Sequence, residues 1–208
     1  MRYLSLIRHA VTSWNLEGRV QGHSDVPLSG AGETQAHALC RRFAGAELVL
    51  YTSPLGRARK TAALAFPEHE AVQDARLREL NFGVFEGRTL GERAALPEWG
   101  AWSAEPFLTP APGGESYRDL RERAVAWLNG LPDAPHVVAV THSGTIQMLL
   151  AHALGLETPR WRKRFQLGHT SVTGLLLDGS EILIERVNDT QHLNASESPD
   201  AAVALLEP

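Results

Sequence analysis

Arg8 and His9 directly follow the apolar run 3–7, "YLSLI", placing two potentially cationic side chains at the mouth of what reads as a buried strand. The arrangement recurs twice. Ser53 and Arg57 follow the strand-like run 47–51, "ELVLY", and Thr141, His142, Ser143 and Gly144 follow 136–140, "HVVAV". Guanidinium forks match phosphate oxygens two at a time, whereas an imidazole can carry a proton or attack through a neutral nitrogen. Two histidines and two arginines around one crevice therefore suit a phosphate dianion, each hydrogen bond to a charged group contributing roughly 1.5–3 kcal/mol. Backbone N–H groups at the helix starts after these strands would add to the binding.

For these groups to meet, their strands must end on one edge of a sheet, as in parallel α/β folds, where strand carboxyl ends converge on the ligand crevice. The chain has the alternation this requires. Residues 2–7 read as a short strand and 29–44 as an amphipathic helix that Ser29 can cap. After the strand at 47–51, Ser53 reads as a helix N-cap with Pro54 at the first helical position. The spacing predicts a helix over 116–131, with Asp119 three residues after a capping Ser116, then a strand at 136–142 and another helix from Gly144. Two further strand runs, 172–178 and 181–188, flank a hairpin turn at Gly179-Ser180.

The expected architecture is α/β, a three-layer αβα sandwich with a mostly parallel central sheet. Residues 89–115 break the rhythm with Pro97, Pro106, Pro110, Pro112 and Gly113-Gly114 among Trp99, Trp102 and Phe107, and read as an inserted, lid-like segment. One domain over 1–193 and a C-terminal tail, 194–208, are expected.

Composition narrows the function classes. With 43% hydrophobic and 21% charged residues, 208 residues can close one sizeable core, far from disordered composition. A net charge of -4 with both signs interspersed offers no basic stripe, so neither nucleic acid nor membrane is an expected partner. The single cysteine, Cys40, cannot form an intrachain disulfide, and with no apolar leader the expectation is a reducing, cytoplasmic location. The nine histidines show neither His-Glu-x-x-His nor dense Asp/His spacing, so neither a metal nor a cofactor is expected.

The order of motifs resembles the histidine phosphatase (phosphoglycerate-mutase-like) superfamily. Arg8, His9, Thr12 and Asn15 match its opening Arg-His-Gly-x-[Thr/Ser]-x-x-Asn, and Gly22, Asp25, Pro27, Leu28, Ser29 and Gly32 match the element that follows. "TSPLGRARKTA" (52–62), "LRELNFGVFEG" (77–87), "PGGES" (112–116), "THSG" (141–144), "SVT" (171–173) and "NDTQHL" (188–193) continue in the family's order. The resemblance implies that His9 is the nucleophile, forming a phosphohistidine that water then hydrolyses. It implies that Arg8, Arg57 and His142 clamp the phosphoryl oxygens with Asn15 as a further contact, and that Glu79 gives a proton to the leaving oxygen. Gln21 and Gly22 sit where the family often touches substrate, and Ser143 joins the phosphate-facing candidates. The surrounding positive charge should depress the His9 pKa and keep its attacking nitrogen neutral.

Three positions depart from the pattern: Ala10 stands where glycine is usual, Val11 where many members have glutamate, and Ser143 where glycine is usual. If position 10 needs a positive φ, alanine costs on the order of 1 kcal/mol. His169 could approach the crevice, and Arg88 or Arg93 could meet an acidic substrate. Three readings follow: a metal-independent phosphomonoesterase for a small phosphorylated metabolite, a phosphoglycerate mutase, or a non-catalytic binder of a phosphorylated ligand. After Gly87 the chain reads "RTLGERAALPEWGAW", without the lysine and adjacent arginines by which mutases of the family hold substrate, which favours the phosphatase. A homodimer is compatible with this pattern but no motif demands it.

Overall fold

The computed structural model describes residues 1–156 and 165–193. The expected tail, 194–208, and Lys163 lie outside the described residues. β1 (Arg2–Arg8) leads through α1 (Ser13–Leu16) into α2 (Gly30–Arg42), then β2 (Val49–Thr52) and α3 (Gly56–Ala65). β3 (Val72–Gln73) is short. Two small helices, α4 (Leu90–Ala94) and α5 (Trp99–Ala104), occupy the insertion, followed by α6 (Tyr117–Asn129), β4 (His136–Thr141), α7 (Ser143–Ala153) and the hairpin β5 (Val172–Asp178) and β6 (Glu181–Asp189).

The six strands form one sheet in the order β3-β2-β4-β1-β5-β6. β1, β2, β3 and β4 run parallel, while β5 pairs antiparallel with both β1 and β6. Strand alternation divides the core into two layers. Leu4 and Leu6 of β1 face α6 and α7 with Val137, Ala139, Trp127, Ile146 and Leu149, and Ile7 faces α2 and α3 with Val138, Val140, Leu39 and Ala62. This is the three-layer α/β sandwich expected, and it brings the ends of β1, β2 and β4 to one edge.

Local sequence explains most helix starts. Ser29 accepts from Gly32 N–H, and Ser116 forms a reciprocal capping box with Asp119. The start of α3 differs from expectation: the helix begins at Gly56 with Leu55 at the N-cap. Ser53 instead meets His142 Nε2 at 2.8 Å, and the Gly56 N–H is held by Asp25 Oδ1 at 2.8 Å.

The insertion is anchored on a third cluster that it shares with the flanking chain, α6 and α7. Phe82, Phe85, Trp102 and Tyr117 are buried together, and Trp99 packs against Phe85 and Trp102. Tryptophan three residues apart on α5 thus serves packing. Among the described residues no helix is long and apolar enough to cross a membrane.

Candidate active site

His9 ends the apolar run of β1 and is buried. Its Nδ1 lies 2.8 Å from the Ala10 carbonyl. A carbonyl only accepts, so Nδ1 carries the proton and Nε2 keeps its lone pair, the state a nucleophile needs. The loop behind it is sewn to two helices, Ala10 N–H donating to Thr61 Oγ1 and Val11 N–H to Gln35 Oε1. Ala10 is not among the positive-φ residues, so alanine carries no backbone penalty there. Glycine is needed instead at position 32, where a Cβ would stand 2.1 Å from the Val11 carbonyl oxygen.

Arg57 is fully buried in α3, its Nη1 and Nη2 donating to the carbonyls of Ser24 and Gly22 at 2.9 and 2.7 Å. Its Nε has no partner, and among the described residues no carboxylate lies within 4 Å of its guanidinium. Burial pushes its pKa down to about 10, opposed by Glu79, Asp25 and Glu86. The cation is balanced through space by these three carboxylates, so its charge remains available to an anion bound in the crevice. Gly22 adopts φ +54, and a Cβ there would meet Glu86 Oε1 at 2.0 Å. Glu86, which the sequence reading left without a role, fixes this loop by accepting from the N–H groups of His23 and Ser24.

His142 packs against His9 with ring centroids 5.1 Å apart. Its Nε2 meets Ser53 Oγ, and its buried Nδ1 has no partner, leaving one imidazole nitrogen for a phosphoryl oxygen. Burial, then Arg57, hold both histidines well below 6.5, and His169 and Arg8 act in the same direction on His9. The acid limb of kcat/KM assigned to His9 is therefore expected below pH 6.5; a limb at or above that value in a pH-rate profile contradicts the assignment. Stability follows the same sign. As pH falls below the ordinary imidazole value the unfolded chain takes up protons that the folded chain refuses, so stability drops from there down to the depressed pKa.

Glu79 lies beyond a 3-10 turn, Ala75–Leu77, whose exit is clamped at each carbonyl. Arg123 of α6 donates to the carbonyls of Arg76, Arg78 and Glu79 while pairing with Glu115, and Thr141 and Thr145 hold the carbonyls of Leu77 and Arg78. His23 Nε2 reaches the Glu79 carbonyl at 2.9 Å. The Glu79 carboxylate accepts from the N–H groups of Leu80 and, at 3.0 Å, Gly144, beside His142. The Gly144 N–H at the start of α7 is thus taken by Glu79, contrary to its expected availability for phosphate. A Cβ at Gly144 would come 2.2 Å from Glu79 Oε1. Gly144→Ala improves helix propensity yet displaces Glu79, so kcat is expected to fall about 10–100-fold with KM little changed. Steady-state kinetics beside a melting curve checks this; an unchanged kcat would remove Glu79 from the chemistry.

The remaining candidates divide. Arg8 reaches the Leu167 carbonyl and acts electrostatically on both His9 and Arg57. Gln21 is buried with its Oε1 unpartnered. Asn15 Oδ1 is occupied by the Thr12 N–H and hydroxyl in the cap of α1, leaving only its amide nitrogen for phosphate. Ser143 Oγ accepts from Gln147. Arg93 is buried over the Trp99 ring and donates to the Thr89 carbonyl, while Arg88, just before the insertion, donates to the Val84 carbonyl. Cys40 is half-buried on α2. His169 does approach the crevice: it is buried with its ring against His9. The next residue, Thr170, has φ +57, a strained conformation costing on the order of 1–3 kcal/mol. Among the described residues no group of three or more His, Cys, Asp or Glu side chains is placed to hold a metal ion.

Comparison with known proteins agrees with this geometry. The profile described as the histidine phosphatase superfamily (branch 1) matches residues 4–190. A Yersinia enterocolitica protein named probable phosphoglycerate mutase GpmB is 34% identical over 93% of this chain and 96% of its own length. The solved structure of Bacillus stearothermophilus YhfR superposes with a TM-score of 0.85 at 31% identity, covering 92% of this chain and 99% of that one. A phosphoserine phosphatase of Entamoeba histolytica, solved in complex with 3-phosphoglyceric acid, superposes with a TM-score of 0.83 at 28% identity, covering 93% and 100% of the two chains.

Proposed function

Because the chain belongs to the histidine phosphatase superfamily, branch 1, we propose that it is a metal-independent phosphomonoesterase that hydrolyses a small phosphorylated metabolite through a phosphohistidine on His9. One observation carries the reading: the His9 Nδ1–H is spent on the Ala10 carbonyl, leaving Nε2 unprotonated within the field of the fully buried Arg57 guanidinium. In the first step Nε2 attacks phosphorus, the ester P–O bond breaks, and the leaving oxygen takes a proton from Glu79. In the second, water attacks phosphorus, the N–P bond breaks, Glu79 takes the proton back, and phosphate leaves. Arg8, Arg57 and His142 hold the three peripheral oxygens throughout, so the protein mainly positions and neutralises charge.

Hydrolysis rather than phosphoryl isomerisation is supported by the insertion. A mutase must hold a carboxylated bisphosphate, yet Arg88 turns back to the Val84 carbonyl, Arg93 is buried over Trp99, and no lysine occurs between Gly87 and Trp102. The phosphatase identity of the Entamoeba protein supports the same choice.

The test is turnover of p-nitrophenyl phosphate in excess EDTA, with 3-phosphoglycerate isomerisation followed in parallel. EDTA-resistant hydrolysis without isomerisation is the expected result. Isomerisation outpacing hydrolysis would replace the phosphatase by a mutase. No turnover of a panel of phosphate esters, with phosphate still bound, would replace it by a binding protein.

A further inference from the structure

His9 contacts a second imidazole besides His142: the His169 ring lies with its centroid 5.6 Å away, tilted by 58°. His169 sits on the turn that enters β5, and this turn is held from several sides. Thr170 N–H donates to the Arg8 carbonyl at 3.0 Å, the Ser171 carbonyl accepts from Arg8 N–H, and Gly168 N–H donates to Asn188 Oδ1 at 2.6 Å. Thr170 keeps its left-handed conformation while its hydroxyl donates to the His169 carbonyl and meets His192 Nε2. A β-branched residue persists in that region only where its surroundings over-determine it. Here they determine where the His169 ring stands.

Among the described residues His9 itself has one side-chain hydrogen bond, Nδ1–H to the adjacent Ala10 carbonyl. A single bond leaves an imidazole free to rock about it, and ring contacts must set the remaining angle. We propose that His169 is a positioning residue of the phosphoryl transfer: its ring, wedged against His9 by the Thr170 turn, fixes the angle of the His9 imidazole and so the line along which Nε2 meets phosphorus. The proposal rests on His9 being the nucleophile. In-line displacement is sensitive to such alignment, an ångström of misplacement costing on the order of a hundredfold in rate.

Rapid-quench measurement of acid-labile label on the protein, from a radiolabelled phosphate ester, reads the step directly. His169→Ala is expected to slow His9 phosphorylation about 10–100-fold while the dissociation constant for inorganic phosphate stays within about threefold. His169→Phe restores a ring of similar size and is expected to recover most of that rate. Phosphorylation of His169→Ala at the wild-type rate overturns the proposal. So does a folded His169→Phe protein as slow as His169→Ala, which would assign the imidazole nitrogens instead of the ring. If both variants fail to fold, Thr170→Gly carries the test, since glycine accepts the left-handed turn but loosens it. Slower phosphorylation at unchanged phosphate affinity supports the proposal, and an unchanged rate overturns it. Label absent from His9 in the wild-type protein would sink the nucleophile reading and this proposal with it, a result visible before any variant is made.

Discussion

His9→Ala is expected to lower turnover of any phosphate ester that the wild-type protein accepts by at least roughly 10³–10⁴-fold, while inorganic phosphate still binds. The asymmetry follows from the geometry. Arg57 and His142 keep their positions when the ring is removed, because Arg57 is held by the Gly22 and Ser24 carbonyls and His142 by Ser53. The site then retains its anion hold but has no nitrogen to accept the phosphoryl group, and only direct attack by water remains. Turnover measured beside phosphate-dependent thermal shifts checks both halves. Undiminished turnover would place the nucleophile elsewhere, and loss of both turnover and phosphate binding would make His9 a structural support of the clamp.

Arg57→Ala is expected to lower kcat/KM about 10²–10³-fold and to remove most of the stabilisation that phosphate confers. Two opposing terms set its effect on the unliganded fold. Holding this arginine charged in the interior, with its pKa pushed down to about 10, costs roughly 3 kcal/mol, and the substitution relieves that cost. It also strips the Gly22 and Ser24 carbonyls of their donors, at about 1–3 kcal/mol each. The lost bonds, about 2–6 kcal/mol together, match or exceed that relief, so the melting temperature without ligand should hold or fall modestly. In the wild type, phosphate at a hundredfold excess over its dissociation constant adds about 2.7 kcal/mol, or roughly 5–10 °C for a chain of this size. That shift should collapse in Arg57→Ala, and Arg57→Lys should not restore it, because an ammonium cannot reach two carbonyls and an anion in the planar fork geometry. A full thermal shift in Arg57→Ala would show that phosphate is held without this side chain.

The core of the site was legible because it lies at strand ends. Arg8, His9 and His142 each follow an apolar run directly, and the parallel order of β1, β2 and β4 turns that sequence feature into spatial convergence. What escaped was decided by tertiary contacts. Ser53-Pro54 carries the local signature of a helix start, but the hydroxyl is claimed by His142, 89 residues away in sequence, and the helix opens at Gly56. Arg93 looked available for an acidic substrate because nothing local reveals the Trp99 ring beneath it. His169 follows no apolar run, and although its place just before Ser171-Val172-Thr173 put it near the crevice, only the antiparallel docking of β5 on β1 shows that its ring meets His9. The i, i+3 spacing of Trp99 and Trp102 was a usable sign that the insertion packs one helical face onto the rest of the domain.

The pairing of β5 along the whole of β1, from Arg2 opposite Leu177 to Ile7 opposite Val172, bears on how the protein is made. A ribosome that has delivered the chain through α7 has already produced Arg8, His9, Arg57, Glu79 and His142, yet one edge of β1 is still bare and the turn bearing His169 does not exist. His9 therefore spends synthesis without the ring that packs against it from the β5 side. If the proposed function holds, turnover is expected only once the last hairpin has docked on β1, so chains that stop before β5 should not consume phosphate esters.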